Sequence, residues 1–160
     1  MVVGVGVWQL VGTSDESGPQ PSTGVLAAAV ADAAPASEPF EALTETHVVV
    51  GEERLSVVVA DFPSERSEGL RRRETIGPYD GMLFVYSELV TASFTMSTVP
   101  VPLDIGFYDA QGRLVSRLRM EPCTGTDAGC PSYSPDGEFQ YALETLAGEL
   151  PNGELRAAAP

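Results

Sequence analysis

Two runs of β-branched residues constrain this chain most: Thr46 to Val50 (THVVV) and Leu55 to Ala60 (LSVVVA), separated by Gly51-Glu52-Glu53. β-Branched side chains fit a pleated surface, and a short Gly-containing break between two such runs predicts a hairpin. Leu55, Val57 and Val59 alternate with Ser56, Val58 and Ala60, so one face is core and the other is nearly as apolar. A sheet built on this hairpin needs cover on both sides.

The next segment changes texture. Asp61-Phe62-Pro63-Ser64-Glu65-Arg66-Ser67-Glu68-Gly69-Leu70 places Pro and acids at a helix start and Gly near its end, which predicts about two turns of helix. Arg71, Arg72 and Arg73 follow, suited to the negative end of that helix. Further strands are expected at Met82–Tyr86, Ala92–Met96, Leu103–Tyr108, Arg113–Met120 and Phe139–Thr145. Asp109-Ala110-Gln111-Gly112 predicts a turn with Gly112 in the left-handed region. In the strand after it, Leu114, Leu118 and Met120 form the expected core face, with Arg113, Arg117 and Arg119 outside. Short strands, hairpin turns and one brief helix predict a mainly β domain, an antiparallel sandwich or open barrel.

The ends differ in character. Met1 to Val11 is almost wholly apolar but falls short of the roughly 20 residues that span a bilayer; the expectation is the remnant of a signal or anchor, acting as an N-terminal membrane tether. Residues 12–40 are rich in Gly, Ser, Pro, Ala and Thr, with no basic residue, and predict a disordered stalk. The β domain is expected over residues 41–150, with a disordered tail over 151–160. The chain of 160 residues holds 23 acidic and 9 basic residues, a formal charge of -14, and every basic residue is arginine. Such a surface repels phosphate backbones, so nucleic acid is not an expected partner.

Cys123 and Cys130 are the only cysteines and lie in a Gly/Thr/Pro-rich loop, EPCTGTDAGCPSY. A disulfide is the expected state in an exported protein. No metal or other cofactor is expected, because His47 is the lone histidine and lies far away in sequence. Three thioethers, Met82, Met96 and Met120, would suit a copper(I) site, but as residues spaced far apart, each in a strand, they are expected to fill core.

Several blocks occur in a familiar order: Ala60-Asp61-x-Pro63-x-Glu65-Arg66-x-x-Gly69-Leu70, Gly81-Met82-Leu83-Phe84, Ser93-Phe94-x-Met96, Pro102-Leu103-Asp104-Ile105, Asp109-x-x-Gly112, Cys123…Cys130-x-x-Tyr133 and Tyr141-x-Leu143-Glu144. Together, from about Leu55 to Gly148, they resemble domain-of-unknown-function family 192 (DUF192), widespread in bacteria and archaea and often exported. The resemblance implies a β-sandwich-like fold with one short helix and no assigned activity. The chain departs from the family at several points. Arg71 stands where the family has Met, and Phe62 where it has Thr, leaving Asp61 as a substitute helix cap. Thr95, Ser97, Thr98 and Val99 replace the Trp, Lys, Asn and Thr of Phe-Trp-Met-Lys-Asn-Thr.

No catalytic residue is assigned. The candidate binding residues are Arg66, Met96, Asp104, Tyr133 and Glu144. Asp104 interrupts an apolar strand, and pairing with Arg117 or Arg119 across the next hairpin is the simpler expectation for it. Glu144 lies in the last strand, where a pairing with Arg66 is expected. The expected role is a non-catalytic extracytoplasmic binding or accessory module of the cell envelope, recognising an envelope protein or small polar ligand through the loops around Met96–Pro102 and Cys123–Tyr133. The alternative is an enzyme acting on a polar substrate such as a glycan through Arg66, Asp104 and Glu144.

Overall fold

The computed structural model describes residues 24–159. The mainly β expectation holds, but as one mixed sheet covered on both faces, without closure into a barrel. The expected hairpin forms between β2 (Thr44–Val50) and β3 (Glu53–Ala60). The helix α2 (Pro63–Glu68) and a loop then carry the chain to β4 (Gly81–Val90), which pairs parallel to β3. That parallel pair departs from the all-antiparallel expectation. It requires a crossover, and the crossover lays α2 across one face of the sheet.

Beyond β4 the order continues through β9 (Phe139–Leu146), β6 (Leu103–Tyr108) and β7 (Leu114–Met120), all antiparallel. A separate two-stranded piece, β5 (Phe94–Thr95) with β8 (Ser132–Tyr133), lies over the same face as α2. Two cores result. The first holds Val58, Ala60, Met82, Phe84, Ile105 and Phe107; the second holds Val57, Val59, Leu83, Val85, Tyr141 and Leu143. Successive strand residues feed opposite cores, as a period of two demands.

Both expected disordered boundaries are corrected. Within the expected stalk, the helix α1 (Ala27–Ala31) and strand β1 (Ala34–Pro35) are ordered, and β1 pairs with β2. Leu26 is fully buried in the second core and Phe40 is buried in the first. The small-residue composition hid these two anchors. Within the expected tail, β10 (Leu155–Ala157) adds to β2 beside β1, so the domain runs past residue 150. The apolar stretch Met1–Val11 and the start of the expected stalk lie outside the described residues. Among the described residues no helix is long and apolar enough to cross a membrane.

Two local expectations are settled by backbone geometry. Gly112 has φ +80°, in the turn closed by its N–H donating to the Asp109 carbonyl at 3.0 Å. A Cβ there would lie 1.8 Å from the Leu155 carbonyl oxygen, so only glycine lets the C-terminal segment dock on this turn. Leu114, expected in the core, is 44% exposed. A register shift between Phe107 and Tyr108 interrupts the strand's alternation and sends Val115 against the first core instead.

Leu26→Ala tests whether the segment before β2 belongs to the domain. Removing this buried side chain is expected to cost about 2–5 kcal/mol in denaturant unfolding, and an unchanged midpoint would detach residues 24–40 from the fold.

Candidate functional site

Glu144 lies on the central strand β9, opposite Met82 of β4 and Ile105 of β6. Its side chain therefore enters the first core, beneath α2 and the β5–β8 piece. Leu70, just beyond α2, is buried there, and Phe94 of β5 meets Phe84 and Phe107 edge-on at 5.1 and 5.5 Å. Between α2 and β5 remains a cleft of about 220 Å³, lined by Leu70, Phe84, Tyr86, Phe94, Val99 and Glu144, with Arg66, Glu68 and Arg71 toward α2 and its end. Glu144 is 5% exposed. Burial alone pushes its carboxyl up to about 8, so it is largely a neutral acid at pH 7.

The expected Arg66–Glu144 ion pair is absent among the described residues, although both groups line the cleft. Arg66 Nη1 instead donates to the Asp61 carbonyl and, at 2.9 Å, to the Val85 carbonyl. Its guanidinium lies 4.6 Å from the centre of the Tyr86 ring. These contacts hold the arginine against the wall and off the carboxyl. The start of α2 contributes to this arrangement. Glu65 accepts from the Asp61 and Phe62 backbone N–H groups at 3.1 and 3.0 Å, so the helix is capped from inside its first turn and not by the Asp61 side chain.

Asp104 is placed elsewhere. Its register partner on β9 is Thr145, so it faces away from Glu144. Arg119 Nε and Nη2 both donate to it, the second at 3.1 Å, and the Gly148 N–H donates at 2.7 Å. The Arg119 hydrogen bond, opposed by burial and reinforced by Gly148, holds its carboxyl below the usual range. Arg117 stands 3.7 Å away. Asp104 is thus satisfied by arginines across the β6–β7 hairpin. Arg66, Asp104 and Glu144 do not converge.

Of the other candidates, Met96 is fully buried in the first core, where it packs and is closed to a ligand. Tyr133 belongs to β8 and its hydroxyl accepts from the Glu121 N–H at 3.1 Å. Cys123 and Cys130 are joined in a disulfide. The loop they close is sewn to the end of α2 by Arg71, which donates to the Ser97 carbonyl at 3.0 Å and to Asp127 at 2.9 Å. The expectation that Arg71 serves the helix end is met in part, since its Nε reaches the Ser67 carbonyl at 3.2 Å. Its larger effect is to hold one wall of the cleft to the disulfide loop. No group of three or more metal-ligating side chains forms among the described residues.

Beside that wall, next to the lining residues Arg71 and Val99, two residues have left-handed backbone, Arg72 (φ 58°) and Thr98 (φ 61°), and the Arg72 N–H donates to the Thr98 carbonyl at 2.7 Å. A β-branched residue is strained at that φ. The buried Thr98 hydroxyl also has no hydrogen-bond partner. Asparagine, which tolerates this conformation, is the residue the resemblance places here.

A mixed sheet with a crossover helix and a disulfide-braced lid over a buried carboxyl defines the class of domain. The chain belongs to the DUF192 family, described as uncharacterized ACR, whose model matches residues 46–157. Two crystal structures share the fold. One is a protein of unknown function from Novosphingobium aromaticivorans DSM 12444, 24% identical, covering 80% of this chain and 96% of that one with a TM-score of 0.63. The other is a protein named as a candidate transcription regulator from Sinorhizobium meliloti 1021, also 24% identical, covering 69% and 89% with a TM-score of 0.58. At that identity the likeness is one of fold. No curated protein matches the chain.

Two variants test these assignments. Asp104 has a lowered value in the fold, so its contribution is present above its unfolded value near 4 and is lost as pH falls through the folded value. Asp104→Asn should lower the melting temperature at pH 7 and flatten the acid side of the stability profile; an unshifted profile refutes the arginine pairing. Thr98→Asn should raise stability by about 1 kcal/mol, read as a higher denaturant midpoint, and a lower midpoint refutes the strain.

Proposed function

We propose that this protein is a non-catalytic binding module that works outside the cytoplasm and takes a small ligand into the α2–β5 cleft. One observation carries the reading: a carboxyl 5% exposed, lining a cleft and hydrogen-bonded to nothing among the described residues. Concave apolar sites with one convergent polar group are the usual form of ligand pockets. The strained backbone at Arg72 and Thr98, each next in sequence to a residue that lines the cleft, supports it, since such strain gathers at ligand clamps. The disulfide supports an oxidising compartment. The expected end loops contribute through Val99 and the disulfide loop behind Arg71.

Hydrolysis of a polar substrate such as a glycan ordinarily uses two carboxylates flanking one bond. Asp104 faces the other side of the sheet, and the cleft's second acid, Glu68, is exposed and bound to Arg72 at 2.5 Å. That arrangement favours binding over catalysis. A transcriptional role on DNA is disfavoured by the net charge of -14.

A protein-observed NMR fragment screen tests the reading. Resonances of Phe84, Phe94 and Glu144 should move together with some fragments, and a screen in which none of them moves overturns it. The buried acid adds a thermodynamic signature. Its value in the fold lies above the ordinary 4.5, so its contribution is complete below that value and is lost as pH rises toward about 8. Glu144→Gln should remove this downward slope between about pH 5 and 8; a slope identical to that of the native protein would refute the buried neutral acid.

A further inference from the structure

A buried carboxyl is ordinarily answered by a cation of the same protein, as Asp104 is by Arg119. Glu144 has two arginines in its cleft and pairs with neither. Arg66 is turned to the Asp61 and Val85 carbonyls, and Arg71 to the Ser97 and Ser67 carbonyls and to Asp127. Glu68 is engaged by Arg72, and the phenol of Tyr86 stays neutral because burial pushes it up. The fold thus supplies a carboxyl and withholds its counter-ion.

We propose that a small organic ammonium ion fills this role, its head group pairing with Glu144 and its alkyl body lying against Phe84 and Phe94. The inference rests on the reading of the cleft as a ligand site. Three observations give it chemistry. Aromatic walls attract cations, and this one already does so, with Arg66 over Tyr86. The molecule's charge of -14 concentrates cations around it and repels anions. A neutral alcohol gives the carboxyl one hydrogen bond, whereas an ammonium gives charge-assisted ones, which are roughly twice as strong.

The size of the cleft limits the body. Its volume of about 220 Å³ is many times the roughly 10–15 Å³ that one water needs by the same measure, which leaves room for an amine of a few carbons. Binding is non-covalent, and its proton balance is definite. The neutral acid gives one proton to solvent as it becomes the carboxylate that holds the ammonium. Because the carboxyl titrates at about 8, affinity rises with pH up to that value and then levels.

Calorimetric titration of the full chain with n-butylamine, n-butanol and butyrate tests this. Measurements at pH 6, 7 and 8.5, in buffers of different ionisation enthalpy, count the protons released. Butylammonium should bind most tightly, release close to one proton at pH 7, and gain about tenfold per pH unit below pH 8. Glu144→Gln should weaken it at least tenfold, and the proton count stands as evidence independent of that variant. Tighter binding of butanol or butyrate, or amine binding without proton release, overturns the ammonium assignment while leaving the cleft a ligand site. If none of the three binds, the assignment also fails, and the fragment screen alone decides whether the cleft takes a ligand.

Discussion

The parallel pairing of β3 with β4 governs this structure. Antiparallel neighbours can be joined by a tight turn, but a parallel neighbour must be reached by travelling the length of the sheet again. Here that journey is made by α2 and the arginine-bearing loop after it, across the face that holds Met82, Phe84 and Ile105. The cover it provides is incomplete, because a helix of six residues is too short to shield the face alone. β5, β8 and the disulfide loop complete the roof, and the cleft is the seam between the two covers. The site is therefore a consequence of topology before it is one of side-chain chemistry.

Within that frame two carboxyls on neighbouring strands have opposite fates. Asp104 and Glu144 differ by one step in the pleat: the partner of Glu144 on β6 is Ile105, and the partner of Asp104 on β9 is Thr145. One step is enough to send them to opposite faces. Asp104 meets two arginines from β7 and a backbone N–H, and is held ionised. Glu144 meets methionine, isoleucine and aromatic rings, and burial favours its neutral form. The surroundings, more than the carboxyl itself, decide which acid is structural and which is available to a ligand.

The elements carried by local chemistry were legible in the sequence. The β2–β3 hairpin, the Pro63 helix start, the Gly112 turn and the Asp104 pairing each follow from neighbours a few residues apart or from one hairpin register. Apart from the Asp61 cap and Leu114, which local details overturn, the misreadings involve long-range geometry. An Ala-rich segment has no periodicity to announce that Leu26 will be buried, and the strand at Leu155 exists only because β2 has a free edge to receive it. For the site, YALETL marks an acid inside an apolar strand, which singled out Glu144. Whether Arg66 would reach it depended on the Val85 and Asp61 carbonyls, whose positions no local pattern encodes.

The place where the chain enters the domain has a directional consequence. Val25 is fastened by its N–H to the Ala110 carbonyl at 2.8 Å, and Leu26 plugs the second core. The cleft opens over the first core, on the other side of the sheet. A pull applied at the N-terminal end is thus borne by the face opposite the cleft. The eight-stranded sheet stands between the point where the chain enters the domain and the cleft.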